Sequence, residues 1–305
     1  METAVDHALL MPLTTIATVS MPVVYDPDTN LTVMLGRIRD AAELGADLVV
    51  FPEQALQGYL TDTLSLDFEN VRYQQQNAET VPNGPRVSAL IEAAVEQSLH
   101  VVFGLTERDD RFADVLYNTV VLAGPDGYIG RYRKVHQPGD EKHVYHPGAG
   151  FPVFETGIGR IGMLICYDKC FPETTRALAL QGAEILVMPT AWAYDDATEA
   201  AEDDVRVDQY TLFGRVRALE NQAWMVESNV VAPQGNLNYH GHSRIIDPNG
   251  VIRADTGPTE GIACVTVDVE DTILRARGID YIGYHFLKDY VPVPATVGPY
   301  GAGTE

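Results

Sequence analysis

The sequence predicts an α/β protein, a layered sandwich built on one mixed sheet or on two sheets. Three observations carry this. Short runs rich in Val, Ile and Thr alternate with longer stretches whose apolar residues recur at helical spacing, and several of the runs are joined by tight turns as hairpins. The third is size: 305 residues, 46% hydrophobic along the whole length, are enough to bury a large sheet and too apolar for a disordered chain.

The pattern opens with two strands, TTIATVSM and ADLVVFPE, separated by Leu31, Met34, Leu35, Ile38, Ala42 and Leu44 at helical spacing, a β-α-β unit. Asp28 or Asn30 can cap the start of that helix and Gly45 its end. Pro85 to Leu99 reads as the next helix and HVVFGL as a strand. VLYNTVVLAG and YIGRYRKVH then form a hairpin about Pro125-Asp126-Gly127. IGMLICYD is a buried strand, followed by a helix from about Pro172 to Gln181, the strand EILVMPT, a helix from about Val205 to Asn221 and the strand AWMVESNVV. SRIIDP and VIRADT pair around Asn249-Gly250, and ACVTVDV has edge character. No linker divides this alternation, so residues 1–290 read as one domain. Residues 291–305, VPVPATVGPYGAGTE, lose periodicity and charge and read as an extended arm or a frayed tail. The acidic segment from Asp195 to Asp208 reads as a solvated loop or a lid.

Charge narrows the partners. With 21 Lys and Arg against 43 Asp and Glu, the net charge is −22, which repels phosphate backbones and anionic membranes. Neutral or cationic small molecules are the expected ligands. Cys166, Cys170 and Cys264 are an odd set without the density of a disulfide scaffold, so reduced thiols in a cytoplasmic protein are expected. The first residues carry Glu2 and Asp6 in place of a basic region and Pro12 breaks their short apolar stretch, which argues against a signal peptide. No apolar run reaches the roughly 20 residues of a membrane helix.

Three polar residues stand where strands run out: Glu53 after DLVVFP, Lys134 after YIGRYR and Cys166 after IGMLI. In α/β sheets, strand ends face the crevice where ligands bind. A thiol attacks as the thiolate, which the entrance to a following helix and a nearby Lys134 would favour. Glu53 could take the thiol proton if partial burial raised its pKa. Singly, each has a plainer reading, an inert core cysteine and solvated Lys and Glu.

The words around them, FPE, YRKVH and CYDKCFPE, resemble the nitrilase superfamily of carbon-nitrogen hydrolases. The resemblance runs from about Thr14 to Tyr290 and includes EKHVYHPG, RALENQ and GHSRIIDPNG in family order. It implies a catalytic Glu-Lys-Cys triad at Glu53, Lys134 and Cys166, with a second glutamate at Glu141. It also implies a four-layer αββα sandwich that pairs through a helical face into homodimers. No metal and no organic cofactor is implied.

Other patterns compete. Gly157-Ile158-Gly159-Arg160-Ile161-Gly162 spells a dinucleotide fingerprint, but it precedes a strand where the fingerprint must follow one. Glu141, His143 and His146 have a spacing that could bind a metal, and His240 and His242 alternate to one strand face, yet surface or packing roles are favoured. His136 is an alternative base for Cys166. Cys170 and Cys264 are expected to pack as small apolar groups.

In the resulting mechanism Glu53 takes the Cys166 proton as sulfur attacks an amide carbonyl, and Lys134 with the Tyr167 backbone N–H stabilises the oxyanion, each such donor being worth about 3 kcal/mol. A thioester forms, ammonia leaves, and Glu53 activates water to release the acid. Glu141 fixes Lys134 or the substrate nitrogen. Nitrile-hydrolysing relatives usually place Trp after the nucleophile, whereas Tyr167 here resembles the amidase and carbamoylase branches. Relatives acting on acids often carry Arg three or four residues after the cysteine, where this chain has Lys169 and Cys170. A small neutral aliphatic or aromatic amide is therefore the expected substrate, with Tyr59, Tyr167 and Trp192 as pocket wall. The alternatives are an N-carbamoyl amine or amino-acid hydrolase, a nitrilase, and a non-catalytic binding subunit.

Overall fold

The computed structural model describes residues 13–194, 204–279 and 284–292. The N-terminal stretch, most of the acidic segment and all but the first two residues of the C-terminal arm lie outside them. In chain order the elements are β1 (Thr14–Ser20), α1 (Pro27–Glu43), β2 (Leu48–Val50), α2 (Phe68–Asn77), α3 (Pro85–Gln97), β3 (His100–Arg108), β4 (Leu116–Gly124) and β5 (Gly127–Arg133). A second half follows with β6 (Val153–Thr156), β7 (Gly159–Met163), α4 (Pro172–Leu180), β8 (Ile185–Thr190), β9 (Ala193–Tyr194), α5 (Val205–Asn221) and β10 (Trp224–Asn229). It ends with β11 (Val231–Gln234), β12 (Leu237–His240), β13 (Arg244–Ile246), β14 (Ile252–Asp255), β15 (Gly261–Val267), α6 (Val269–Leu274) and α7 (Phe286–Asp289).

These strands make two six-stranded mixed sheets, ordered β15-β1-β2-β3-β4-β5 and β14-β13-β10-β8-β7-β6. Each has a parallel trio, β1-β2-β3 and β7-β8-β10, flanked by antiparallel strands. Strands in the trios are covered on both faces, which is why they read as unbroken apolar runs. Three clusters explain the layering. Met34, Ile38, Val87 and Leu90 of α1 and α3 pack on the outer face of the first sheet. Leu48, Val50, Val102 and Val120 of that sheet meet Ile161, Ile185, Val187 and Val226 of the second. Leu178, Tyr210 and Ala218 of α4 and α5 cover the far face with Leu186 and Met225. The order is helices, sheet, sheet, helices: an αββα sandwich.

Local chemistry departs from expectation in places. Asp26 caps α1, its Oδ1 accepting from the backbone N–H of Asp28 at 3.1 Å, because Pro27 supplies the first helical residue. Asn30 turns inward instead, its Nδ2 donating to the Val24 carbonyl at 2.6 Å and the Leu56 carbonyl at 3.0 Å. Gly45 follows the helix with φ 74°, as a helix stop requires. The fingerprint-like glycines occupy the tight β6-β7 hairpin, so no helix follows them. Two features carry no apolar periodicity: α2, whose buried residues are Asn70 and Gln74, and the small sheet β11-β12-β9. Cys264 is exposed rather than packed, since β15 directs Val265 and Val267 inward and leaves its other face to solvent. Among the described residues no helix is long and apolar enough to cross a membrane.

The seam between the sheets should dominate stability. Ile185→Ala, at a fully buried position in that seam, should lower the urea-unfolding free energy by about 2–5 kcal/mol, whereas Val251→Ala on the surface should stay within about 0.5 kcal/mol.

Candidate active site

The ends of β2, β5, β7 and β8 converge where the two sheets meet. Glu53 lies three residues beyond β2, Lys134 directly follows β5, and Cys166 lies three residues beyond β7. The crossing is pinned by backbone: the Glu53 N–H donates to the Thr190 carbonyl at 3.3 Å, and the Ala191 N–H donates to Glu53 Oε2 at 2.8 Å. One sheet thus holds the carboxylate that the other supplies.

Lys134 is the hub. Its Nζ donates to Glu53 Oε1 and to Glu141 Oε2, both at 2.7 Å, and all three side chains are fully buried. Asn118 on β4 bridges the same carboxylates, donating from Nδ2 to Glu53 Oε1 at 2.7 Å and Glu141 Oε1 at 2.9 Å. Tyr59 donates its hydroxyl to Glu141 Oε2 at 2.6 Å. Glu141 is presented by a 3-10 turn, Gly139–His143, after the β5 end. Burial pushes its carboxyl up, Lys134 pulls it down, and Glu53 pushes it up again. Two anions raise Lys134 despite its burial, so the ammonium stays charged.

Cys166 opens a second 3-10 turn, Cys166–Cys170, with a left-handed backbone at φ 47°, a conformation that a residue with a Cβ adopts at a cost. Asp168 holds this turn from one side. Its Oδ2 accepts from the Ile165 N–H at 2.9 Å and the Tyr132 hydroxyl at 2.7 Å, and its Oδ1 from the His136 N–H at 2.9 Å. Arg217 of α5 holds it from the other, donating to the Lys169 carbonyl at 2.8 Å. The turn separates Cys166 from α4, so the expected help from a helix N-terminus is missing. Burial pushes the thiol up, Glu53 pushes it further, and Lys134 opposes them.

The family model for carbon-nitrogen hydrolases matches residues 15–277. The chain belongs to this family. It is 32% identical to a probable nitrilase of Schizosaccharomyces pombe over 91% of this chain and 95% of the relative. It is 31% identical to a human omega-amidase over 79% of this chain and 83% of the relative. Its fold superposes on an amidase from Nesterenkonia sp. AN1 with a TM-score of 0.68 at 25% identity, covering 85% of this chain and 92% of the other.

Around the hub of this carbon-nitrogen hydrolase, the remaining candidates part company. Tyr59 joins the hub. Tyr167 is half-buried with its ring edge-on to Phe171 at 5.3 Å. Trp192 donates Nε1 to the Arg206 carbonyl at 2.7 Å and lies 4.6 Å from the Lys169 ammonium. His136 is engaged elsewhere, its Nδ1 2.8 Å from Asp168 Oδ1 and its ring stacked on Phe171 at 4.0 Å, while Glu53 lies in the hub. His143 projects outward near Asp140, while Glu141 of the same spacing turns into the hub. His240 is buried against Tyr210, and His242 pairs with Asp255 at 3.0 Å. Lys169, which with Cys170 stands where acid-acting relatives often carry Arg, is wholly buried with Glu227 at 3.1 Å, and Cys170 is half-buried. Asn118 and Asp168 escaped the sequence reading. Asp168 does stand inside the word CYDKC, whereas nothing in NTV marks Asn118.

The electrostatics give an unusual expectation for Glu53→Gln. Removing a charge that raises the thiol enlarges the thiolate fraction at a given pH, so iodoacetamide should alkylate Cys166 faster at pH 7 than in wild type. Amide turnover should fall by about 10²–10⁴-fold in the same variant. Slower alkylation would contradict the charge arrangement.

Proposed function

We propose that this carbon-nitrogen hydrolase is an amidase that converts a small neutral aliphatic or aromatic amide to the carboxylic acid and ammonia through a thioester on Cys166. The observation that carries the reading is the dry triad: a base, a fixed cation and a thiol at one seam. Glu53 takes the S–H proton as sulfur adds to the carbonyl carbon. Two of the three N–H donors of Lys134 are spent on Glu53 and Glu141, leaving one for the oxyanion beside the Tyr167 N–H. Collapse breaks the C–N bond, and Glu53 returns its proton to the departing nitrogen. Water then loses a proton to Glu53 as it attacks the thioester, and the acid leaves with the thiol restored.

The charge balance supports a neutral substrate. Net charge is −22, and Lys169, the cation on the nucleophile turn, already has its carboxylate in Glu227. A mutant of the Nesterenkonia amidase shows covalent addition of the acetamide moiety of fluoroacetamide at its active-site cysteine, which supports a small amide at the corresponding place here. An N-carbamoylputrescine amidase of Solanum lycopersicum is 29% identical over 87% of this chain, so an N-carbamoyl amine is the second reading. An ammonia-release screen over short amides, nitriles and carbamoyl compounds, with carbon dioxide followed in parallel, separates them. Highest kcat/KM on a neutral amide without carbon dioxide is expected, and preference for a carbamoyl compound would replace the substrate. Cys166→Ala should abolish turnover, and mass spectrometry of wild type with a slow amide should place an acyl adduct on the Cys166 peptide. An adduct on Cys170 would overturn the mechanism.

The same reading includes a homodimer formed across a helical face. Val205, Leu212 and Leu219 recur every seven residues along α5 and stand 64%, 62% and 37% exposed, a stripe that water disfavours. Light scattering should give a dimer or a multiple of one, and Leu212→Glu should shift it toward monomer.

A further inference from the structure

One buried ion pair has no part in the chemistry above. Lys169, on the nucleophile turn, is wholly buried, as is Glu227 on β10, and the two meet at 3.1 Å. The ammonium also donates to the Tyr210 carbonyl at 3.3 Å, and it lies 3.6 Å from the Tyr210 ring centroid and 4.6 Å from that of Trp192. Glu227 Oε2 has no hydrogen-bond partner. The fold has made room for this carboxylate. A Cβ at Gly214 on α5 would come within 2.5 Å of Glu227 Oε1, so the middle of a 17-residue helix carries glycine, at a helix cost of about 1 kcal/mol.

Stability does not account for such a pair, because apolar residues of similar volume generally stabilise an interior as well or better. Position offers an account. Lys169 and Cys166 belong to the same five-residue 3-10 turn, Cys166–Cys170. The turn keeps Cys166 left-handed; Asp168 restrains it on the side of Tyr132 and His136, and Arg217 reaches its Lys169 and Cys170 carbonyls from α5. We propose that Lys169, held by Glu227, is a positioning residue for the nucleophile: it ties the turn to β10 and α5 and sets a second cation near the sulfur. This rests on the reading of Cys166 as nucleophile.

The charges agree. Burial pulls the Lys169 ammonium down, while Glu227 and a Cys166 anion both favour its charged form. Cys166 faces Glu53 and Lys134 across the triad, Tyr59 beside them, Tyr210 from α5 and Tyr239 from the small sheet. Lys134 is the cation of this set, and Lys169 and Arg217 are the cations on the turn itself, Arg217 already paired with Glu220. Lys134 is shared by two carboxylates and Lys169 is held by one.

The test compares Lys169→Met, Glu227→Gln and the apolar double variant Lys169→Met/Glu227→Leu in the full chain. Readouts are melting temperature, kcat and KM for the best amide, and the pH profile of iodoacetamide alkylation at Cys166, each per folded molecule. The double variant should melt at or above the wild-type temperature. It and Lys169→Met should still lose kcat tenfold or more with KM changed less than threefold, and alkylation at pH 8 should slow about tenfold as the profile moves to higher pH. Glu227→Gln should shift the profile in the same direction. A double variant with wild-type kcat and alkylation profile would overturn the proposal. So would a double variant that does not fold, since the pair would then belong to the scaffold. Alkylation that fails to map to Cys166 in wild type would instead refute the nucleophile assignment.

Discussion

One ammonium shared by two carboxylates governs this molecule. Lys134 sits fully buried between Glu53 and Glu141 at 2.7 Å from each, so the cluster carries one positive charge against two negative ones. Stripped of water, such a group survives only if nearly every remaining lone pair and proton has a partner. The partners are supplied: Asn118 to both carboxylates, Tyr59 to one, the Ala191 N–H to the other. These donors come from β4, from the segment after β2 and from the end of β8, so satisfying the charge cluster requires both sheets to be in register with each other. The apolar seam between the sheets and the polar hub at its end therefore constrain the same degree of freedom.

The surroundings have a chemical consequence. Burial, reinforced by the Glu53 charge, pushes Glu141 and the Cys166 thiol up together against the pull of Lys134, so in the proposed mechanism the nucleophile starts as a protonated thiol. A preformed thiolate would need a helix N-terminus or an unshared cation, and the five-residue turn before α4 denies the first while Glu53 and Glu141 occupy Lys134. Under the proposed mechanism, proton transfer and sulfur attack are thereby coupled through Glu53, and no reactive thiolate is held when no carbonyl is present.

Much of this was legible in the sequence, for identifiable reasons. Buried strands such as ILVMPT and amphipathic helices such as α5 repeat at their own periods, so their limits were read closely. Glu53, Lys134 and Cys166 were visible because each stands where a strand runs out, inside a recognisable word. What escaped lacks such contrast. The α2 helix buries Asn70 and Gln74 and so has no apolar stripe, and Asn118 lies inside a strand where a polar residue has no marked position. Asp26 was passed over as a cap because Pro27, at the first helical position, moved the start by two residues. The burial of Lys169 was not legible because spacing from Cys166 gives no direction, and its partner Glu227 sits where Gly214 leaves room for a carboxylate.

The Lys169–Glu227 pair bears on substrate choice. The lysine three residues after Cys166 is wholly buried and already paired with a carboxylate. Drawing the ammonium out toward a substrate would leave Glu227 buried without its counter-charge, a penalty of about 3–5 kcal/mol for breaking such a pair. A single carboxylate contact returns about 1.5–3 kcal/mol, so the exchange is unfavourable. The interior therefore argues for neutral substrates independently of the surface charge. Salt would screen the surface argument, whereas a pair sealed between β10 and α5 is screened far less, so a preference for neutral amides set by the interior would persist at high ionic strength.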